Sequence, residues 1–462
     1  MQVLPNGLVE HRTPAEFPVG SPAVMAALLA AASTRNDRVA LIDGDQSWTF
    51  VELLDAVHQA AAALDATAPV IVRGSNSADL IIEVFAGLSI GAAIFFNPPP
   101  SVDCQQLMTL LGNHRVVGFT SGTGGEPKAV VHSERNLLLP GSVSLDLEPP
   151  ADDERIGTAL SLPILNVMVL GPLSALIRQT TFVVIDQTSP ATDGIIDGIN
   201  EHSVTRLFAV PTQIHDLAIH TPESVSLRSL DRVILGGAGA SAGTLSSFTE
   251  RFGVRPTLSY GMTEAPTGVV RESTNDPIGS GRGFPLAHVE VRIFDGEICL
   301  SPATSGRWAN TWTPTYGYLG DPDRTAALFE GGVLHTGDRG ALDDDGALSV
   351  TGRLSSMIIR GGMNVDPVAV ESVLLEDPSV AEAVVCGFPD ERLGEKVGAV
   401  VVAAPGETVD RNKLRALVAE RLNSHSAPDA VLEWEELPRG SLGKVAAIDP
   451  TLFTTAPTTD LT

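Results

Sequence analysis

Short apolar runs alternate with longer amphipathic stretches along most of this chain. Thr49 and Glu52 have capping-box spacing ahead of Leu53–Leu64, which predicts a helix there. Ser21-Pro22 reads as the start of another, running to Ala32, with Ser as cap and Pro in the first turn. Val70–Arg73 and Ala93–Asn97 read as strands flanking a helix over Ala78–Ile90, and Arg115–Phe119 and Ala129–His132 read as two more strands. The runs Val183–Asp186, Arg206–Val210 and Arg232–Leu235 are apolar and β-branched, with helical stretches between them. Such alternation predicts an α/β fold with layered sheets covered on both faces. Near Gly296 the texture changes to turns and short strands, with a hairpin signal at Asp345-Gly346. After Gly352-Arg353 a compact α+β pattern begins. There Val370–Leu375 and Arg411–Leu422 read as helical, and Val380–Cys386 and Lys396–Ala403 as extended. The expected organisation is a large domain over 1–353, a small α+β domain over 354–453 and a disordered Thr/Pro/Asp-rich tail over 454–462.

Composition narrows the class. A length of 462 residues allows roughly two to four domains, and 43% hydrophobic content supports a substantial core. A net charge of −26 excludes broad attraction to nucleic acid or to an anionic membrane, but not a local anion site. Cys104, Cys299 and Cys386 form neither a disulfide framework nor a metal-ligand spacing, so a reducing compartment with structural thiols is expected. Met1–Arg12 lacks the basic-then-apolar signature of a secretory leader, and no apolar run is long enough to cross a bilayer. A cytoplasmic protein without nucleic-acid or membrane partners is expected.

The candidate chemistry begins at Thr120-Ser121-Gly122-Thr123-Gly124-Gly125-Glu126-Pro127-Lys128. Glycines let the backbone approach a ligand, and successive N–H groups with hydroxyls form a concavity for anions. Lys128 adds a point charge, so the segment suits a polyphosphate; the plainer reading is a flexible hairpin tip. It is not a Walker A loop, which needs Gly where Pro127 stands and a hydroxyl after the lysine. Tyr260-Gly261-Met262-Thr263-Glu264 follows the strand-like Pro256–Ser259 and puts a ring, a hydroxyl and a carboxylate at a strand's C-terminal end. The plainer reading there is a helix start, with Thr263 capping and Glu264 favoured by the dipole. Gly236-Gly237-Ala238 offers close approach to a flat ligand, or simply a turn. Thr336-Gly337-Asp338 after Val333–His335 suits two ribose hydroxyls, or is an ordinary Asp turn. Lys444 stands on a Gly-flanked loop, where a solvated lysine is the simpler account. His132, His215, His335 and His425 show no ligand spacing.

In this order the segments resemble the acyl-adenylate-forming superfamily: acyl- and aryl-CoA synthetases, peptide-synthetase adenylation domains and luciferases. The resemblance runs through Thr120–Lys128, Tyr260–Glu264, Thr336–Asp338, Gly352–Glu371 and Pro438–Lys444, with weaker matches at Val210-Pro211-Thr212 and Gly317–Pro322. It implies a large N-terminal domain, a small mobile C-terminal one and two half-reactions. A carboxylate attacks the α-phosphorus of MgATP, and a thiol then displaces AMP from the acyl-adenylate. It also implies residue roles. Thr120, Ser121, Gly122, Thr123, Gly124, Gly125 and Lys128 would hold the β- and γ-phosphates. Tyr260, Gly261, Gly236, Gly237 and Ala238 would flank adenine. Thr263 would contact the α-phosphate, Glu264 would bind magnesium, Asp338 and Arg353 the ribose, and Lys444 would bridge the reacting groups. Asn166, Val167, Ser259, Ala265 and Thr267 would line the acyl pocket, Gly361 and Gly362 the thiol channel, and Ser355 would be the hinge.

Some positions depart from the family pattern. Leu354-Ser355-Ser356 replaces the usual charged hinge pair, Ala369 replaces a glutamate, the stretch between Asn97 and Arg115 is short, and Asn166 replaces a histidine or aromatic gate. Leu162 to Leu173 carries no charge, so an α-ammonium on the substrate would lack a counter-charge. The expected activity is an AMP-forming ligase joining a non-amino carboxylic acid to coenzyme A, using ATP and Mg2+. The alternatives are a stand-alone adenylating enzyme that loads a phosphopantetheinylated carrier protein, and a catalytically silent nucleotide-binding homologue.

Overall fold

The computed structural model describes the chain except residues 1, 20, 22, 121–126, 186–190, 355–356, 362, 391, 440–444, 446–447 and 456–462. Packing divides it into two compact units, Met1–Arg292 with Cys299–Thr336, and Ile293–Ile298 with Gly337–Thr462. Among the described residues no helix is long and apolar enough to cross a membrane.

In the first unit a parallel series runs Pro256–Met262, Arg232–Leu235, Arg206–Ala209, Arg155–Thr158, Thr181–Val184, Val39–Asp43. Arg206–Ala209 and Thr181–Val184 are buried at every position, which is why they read as continuous apolar runs rather than alternating ones. Thr267–Glu272 and Arg282–Pro285 extend the series antiparallel beyond Pro256–Met262, and Gln46–Thr49 does so beyond Val39–Asp43. A second, four-stranded sheet has the order Val70–Val72, Ile94–Phe96, Val116–Thr120, Lys128–His132, the last strand antiparallel.

The capping box of Thr49 and Glu52 forms as expected and starts the helix Phe50–Ala63. The Ser77 and Ser133 hydroxyls cap Ala78–Ser89 and Glu134–Leu147 by accepting from Leu80 N–H and Asn136 N–H. Two expectations shift. The first helix is Val24–Thr34, capped by Ala23, and the orphan Val24 N–H is taken by Glu134 Oε1 at 2.6 Å. The Ser21 hydroxyl instead accepts from Ala23 N–H within its own turn. The strand expected over Val183–Asp186 is Thr181–Val184, because the buried Thr181 hydroxyl donates to Val39 O at 2.6 Å and fixes the register two residues earlier.

In the second unit Gly394–Ala403 is central. It pairs antiparallel with Val380–Asp390 and Ile358–Arg360 and parallel with Ala430–Trp434. Pro367–Leu374 and Arg411–Arg421 pack their apolar faces into this unit's core through Val370, Leu374, Leu414 and Val418. Asp345-Gly346 forms the predicted hairpin, Gly346 at φ +81° where glycine is favoured. Thr454 and Thr455, placed in the expected tail, end a short helix, Leu452–Thr455, whose Phe453 stacks on Phe388; residues 456–462 lie outside the described residues.

Candidate functional site

Pairing of Thr120 with Lys128 closes the candidate anion loop as a hairpin between Val116–Thr120 and Lys128–His132. Ser121, Gly122, Thr123, Gly124 and Gly125 lie outside the described residues. Packing on the strand Val116–Thr120 is tight. A Cβ on Gly118 would lie 2.8 Å from Leu165 Cδ2 and 3.4 Å from Thr263 Cγ2, so this strand, the uncharged stretch and the Thr263 turn meet there. Lys128 Nζ lies over the Tyr318 ring, 4.8 Å from its centroid.

Tyr260–Glu264 does not begin a helix. The strand Pro256–Met262 continues through Tyr260 and turns at Thr263 into Thr267–Glu272. The pairing slips between Tyr260 and Gly261, and a Cβ on Gly261 would lie 1.8 Å from Thr267 O, so only glycine fits. Thr267 sits at φ +69°, a strained conformation for a β-branched residue.

Three hydrogen bonds clamp the turn. His132 Nε2–H donates to Thr263 O at 2.8 Å, Thr315 N–H donates to Glu264 O at 2.7 Å, and the Tyr318 hydroxyl donates to Glu264 Oε1 at 2.8 Å. Burial pushes the His132 imidazole down to about 4 against the opposing bond to Thr263. The ring is therefore neutral, and the Asn136 amide on Nδ1 leaves the proton on Nε2. Asn136 also takes the Thr313 hydroxyl and donates to Pro314 O, which binds the Thr313–Thr315 segment to the helix Glu134–Leu147. Burial, and then the Glu264 carboxylate, raise the Tyr318 phenol above its ordinary value, so it stays a donor.

Glu264 is 7% exposed, and among the described residues its Oε2 makes no hydrogen bond or ion pair. One anchored and one open carboxylate oxygen make a donor of the hard type that suits Mg2+.

The remaining first-unit candidates divide. Gly236–Ala238 follows the strand Arg232–Leu235, with Gly237 at φ +82°. Val167 and Ala265 are buried apolar residues. Ser259 donates to Val270 O. Among the described residues the buried Asn166 Oδ1 and Thr267 Oγ1 have no hydrogen-bond partner. Such atoms are costly unless a ligand or water satisfies them. Most of Leu162–Leu173 is buried in the core, which itself accounts for its lack of charge.

In the second unit Asp338 and Arg353 are cross-strand partners, and Arg353 Nε–H donates to Asp338 Oδ1 at 2.9 Å. Thr336–Asp338, expected as a turn, lies within the strand Leu334–Leu342, with Gly337 at φ +72° and Asp338 the first residue paired to Leu348–Arg353. Gly361 has φ +60° and donates to Leu393 O at 2.7 Å. Gly362, Ser355 and Lys444 lie outside the described residues.

Sequence reading missed the clamp. His132 stood out only as a histidine without ligand spacing, and Tyr318 only within a weak match. Their partners lie 131 and 54 residues away, a distance at which no local pattern signals contact.

The sequence profile of the AMP-binding enzyme family matches residues 112–306, and that of the AMP-binding enzyme C-terminal domain matches 369–444. The chain is 30% identical to a feruloyl-CoA synthase from Amycolatopsis sp, over 90% of this chain and 89% of that one. It resembles the o-succinylbenzoate CoA synthetase of Bacillus subtilis, solved with its acyl-adenylate intermediate, at TM-score 0.75 and 26% identity over 91% of this chain and 96% of the other. It also resembles an amide bond synthetase from Marinactinospora thermotolerans, at TM-score 0.77 and 25% identity over 91% and 98%.

Proposed function

The chain belongs to the AMP-binding enzyme family, and on that footing we propose that it is an AMP-forming ligase joining a carboxylic acid without an α-amino group to coenzyme A. The observation that carries this reading is the agreement along nearly the whole chain with relatives named as CoA synthases and ligases.

The residues divide the work by charge. Attack of a carboxylate on the α-phosphorus brings anions together, so cations and N–H donors belong around them. Lys128 and the loop it closes hold the β- and γ-phosphates. Thr263 donates to the α-phosphate from a turn whose backbone His132 fixes. Tyr260, with Gly236–Ala238, flanks the adenine. Asp338 accepts from the ribose hydroxyls while paired to Arg353. Glu264 would offer Oε2 to magnesium, whose charge would offset that of the phosphates. Lys444 bridges the attacking carboxylate and the α-phosphate, and the small unit turns at Ser355 to open a thiol channel along Gly361 and Gly362. The absence of charge over Leu162–Leu173 supports an acid without an ammonium group.

The test is ATP–pyrophosphate exchange over aliphatic, aryl and α-amino acids, followed by competition among coenzyme A, a phosphopantetheinylated carrier and simple amines. Exchange strongest with a plain acid and thioester formed on coenzyme A is the expected result. Exchange strongest with an α-amino acid, or product only on the carrier or amine, overturns it. Lys444→Ala should lose exchange yet still form thioester from preformed acyl-adenylate; near-normal exchange by that variant removes Lys444 from its role.

A further inference from the structure

Tyr318 lies between two opposite charges. Its hydroxyl holds Glu264 Oε1 at 2.8 Å, and its ring lies beneath the Lys128 ammonium, 4.8 Å from the centroid. Tyr318 is 5% exposed, and its segment is laced onto the strand that carries Lys128. Val131 N–H donates to Gly317 O, Leu319 N–H donates to Ala129 O, and Val130 bridges to Tyr318. The Thr325 hydroxyl accepts from Tyr318 N–H and donates to Gly7 O, which fixes the other side.

A lysine and a glutamate held on one tyrosine attract each other, the more strongly the lower the local dielectric. Joined directly, each would quench the other, and a phosphate or a metal would first have to separate them. Among the described residues Lys128 makes no ion pair. The ring face gives its ammonium an interaction worth about 0.5–2 kcal/mol without consuming an anion. The phenol anchors one carboxylate oxygen and leaves the other open.

We propose that Tyr318 is a positioning residue for adenylation, keeping Lys128 and Glu264 apart and aimed so that metal and phosphates meet a preset pair. This rests on the reading that Glu264 holds the metal and Lys128 the phosphates. A hydrogen-bond partner behind a metal-binding carboxylate typically governs about 10–100-fold in affinity.

Calorimetry with metal-free ATP and with Mn·ATP tests the proposal without knowing the acid. The preference of the wild type for Mn·ATP over ATP measures the metal contact. Tyr318→Phe keeps the ring and loses the hydroxyl. It should cut that preference about tenfold or more while leaving metal-free ATP affinity and melting temperature near wild type. Tyr318→Leu should in addition weaken metal-free ATP, because Lys128 loses its ring. A Tyr318→Phe preference within about twofold of wild type overturns the positioning role. So does a parallel fall of both affinities and the melting temperature, which marks a packing role. A wild type that shows no preference for Mn·ATP fails the underlying reading of Glu264 as well, and so separates the two failures.

Discussion

The large sheet of the first unit treats buried charge in opposite ways at its two ends. At the N-terminal ends of Arg155–Thr158, Arg206–Ala209 and Arg232–Leu235, Glu148 and Glu154 are enclosed by arginines. Arg178 and Arg206 share both oxygens of Glu154, and Arg206, Arg232 and Arg271 share those of Glu148. No carboxylate oxygen is left over. At the other end Glu264 has one oxygen on Tyr318 and one open among the described residues. A saturated network holds structure in place. A carboxylate held on one side only is poised for a ligand, and the clamp around it costs the molecule nothing further when that ligand arrives.

The sharpest way to break the contrast is Arg178→Met. The Arg178 side chain is fully buried, and its removal leaves Glu154 Oε1 without its donor while Arg206 still holds Oε2; the Glu154 side chain is itself only 7% exposed. Losing charged hydrogen bonds to a buried carboxylate costs about 1.5–3 kcal/mol, so the denaturation midpoint should fall clearly. Adenylation per folded molecule should be unchanged, since the defect lies at the opposite end. A midpoint shift worth less than about 1 kcal/mol would mean that the network is ornamental.

Glu264→Gln is the reciprocal change. The amide oxygen still accepts from Tyr318, so stability should stay within about 1 kcal/mol of wild type. The open anionic oxygen is gone, and exchange should fall roughly a hundredfold, with partial recovery at high metal concentration. Unaltered exchange would make Glu264 another structural carboxylate.

What the sequence disclosed follows the same division. Local signals were legible. The capping box of Thr49 and Glu52 and the hairpin at Gly346 formed where they were read, and the two strands around the anion loop did so to within one residue, each taking in Thr120 or Lys128. Family-like motifs marked Thr263, Glu264, Asp338 and Arg353 as candidates, without signalling that the last two pair with each other. Tertiary substitutions were not legible. Glu134 supplies a helix cap from 110 residues away, displacing the Ser21 reading. Ladder pairing with Leu348–Arg353 takes up Asp338, although Gly337 before it keeps a left-handed φ of +72°. The saturated end was equally silent, because arginines opening strands look like solvated charges until burial is known.

Acid and alkali sharpen the comparison with opposite signs. Glu148 is pushed up by burial but held below its ordinary value overall by Arg271, Arg206 and Arg232. Its folded-state carboxyl is depressed, so its contribution is present above the unfolded value of about 4.5 and is lost as pH falls through the lower, folded one. In the second unit, burial raises Glu371 to about 7 against the opposing bond from Val385 N–H. That folded state binds the proton more tightly than the unfolded chain, so stability falls as pH rises from about 4.5 to about 7, by roughly 1–3 kcal/mol. Glu371→Gln should flatten the decline, read as melting temperature against pH. A variant that keeps the wild-type slope would rule Glu371 out as its source.

The smallest effect tests whether saturation or burial makes the network matter. Arg232 contributes a full ion pair to Glu148 at 3.1 Å, yet its side chain is 49% exposed. If the count of pairs set the energy, Arg232→Ala would resemble Arg178→Met. If burial sets it, solvent already screens this arm, and Arg206 and Arg271 continue to hold both oxygens of Glu148. Removing Arg232 also relieves like-charge crowding on Arg271, whose guanidinium is lowered chiefly by burial and further by its arginine neighbours. The expected loss is therefore under about 1 kcal/mol, and smaller still in high salt. A loss comparable to that of Arg178→Met would show that the network works as one unit out to its solvent edge, and the two ends of the sheet would then differ in saturation alone.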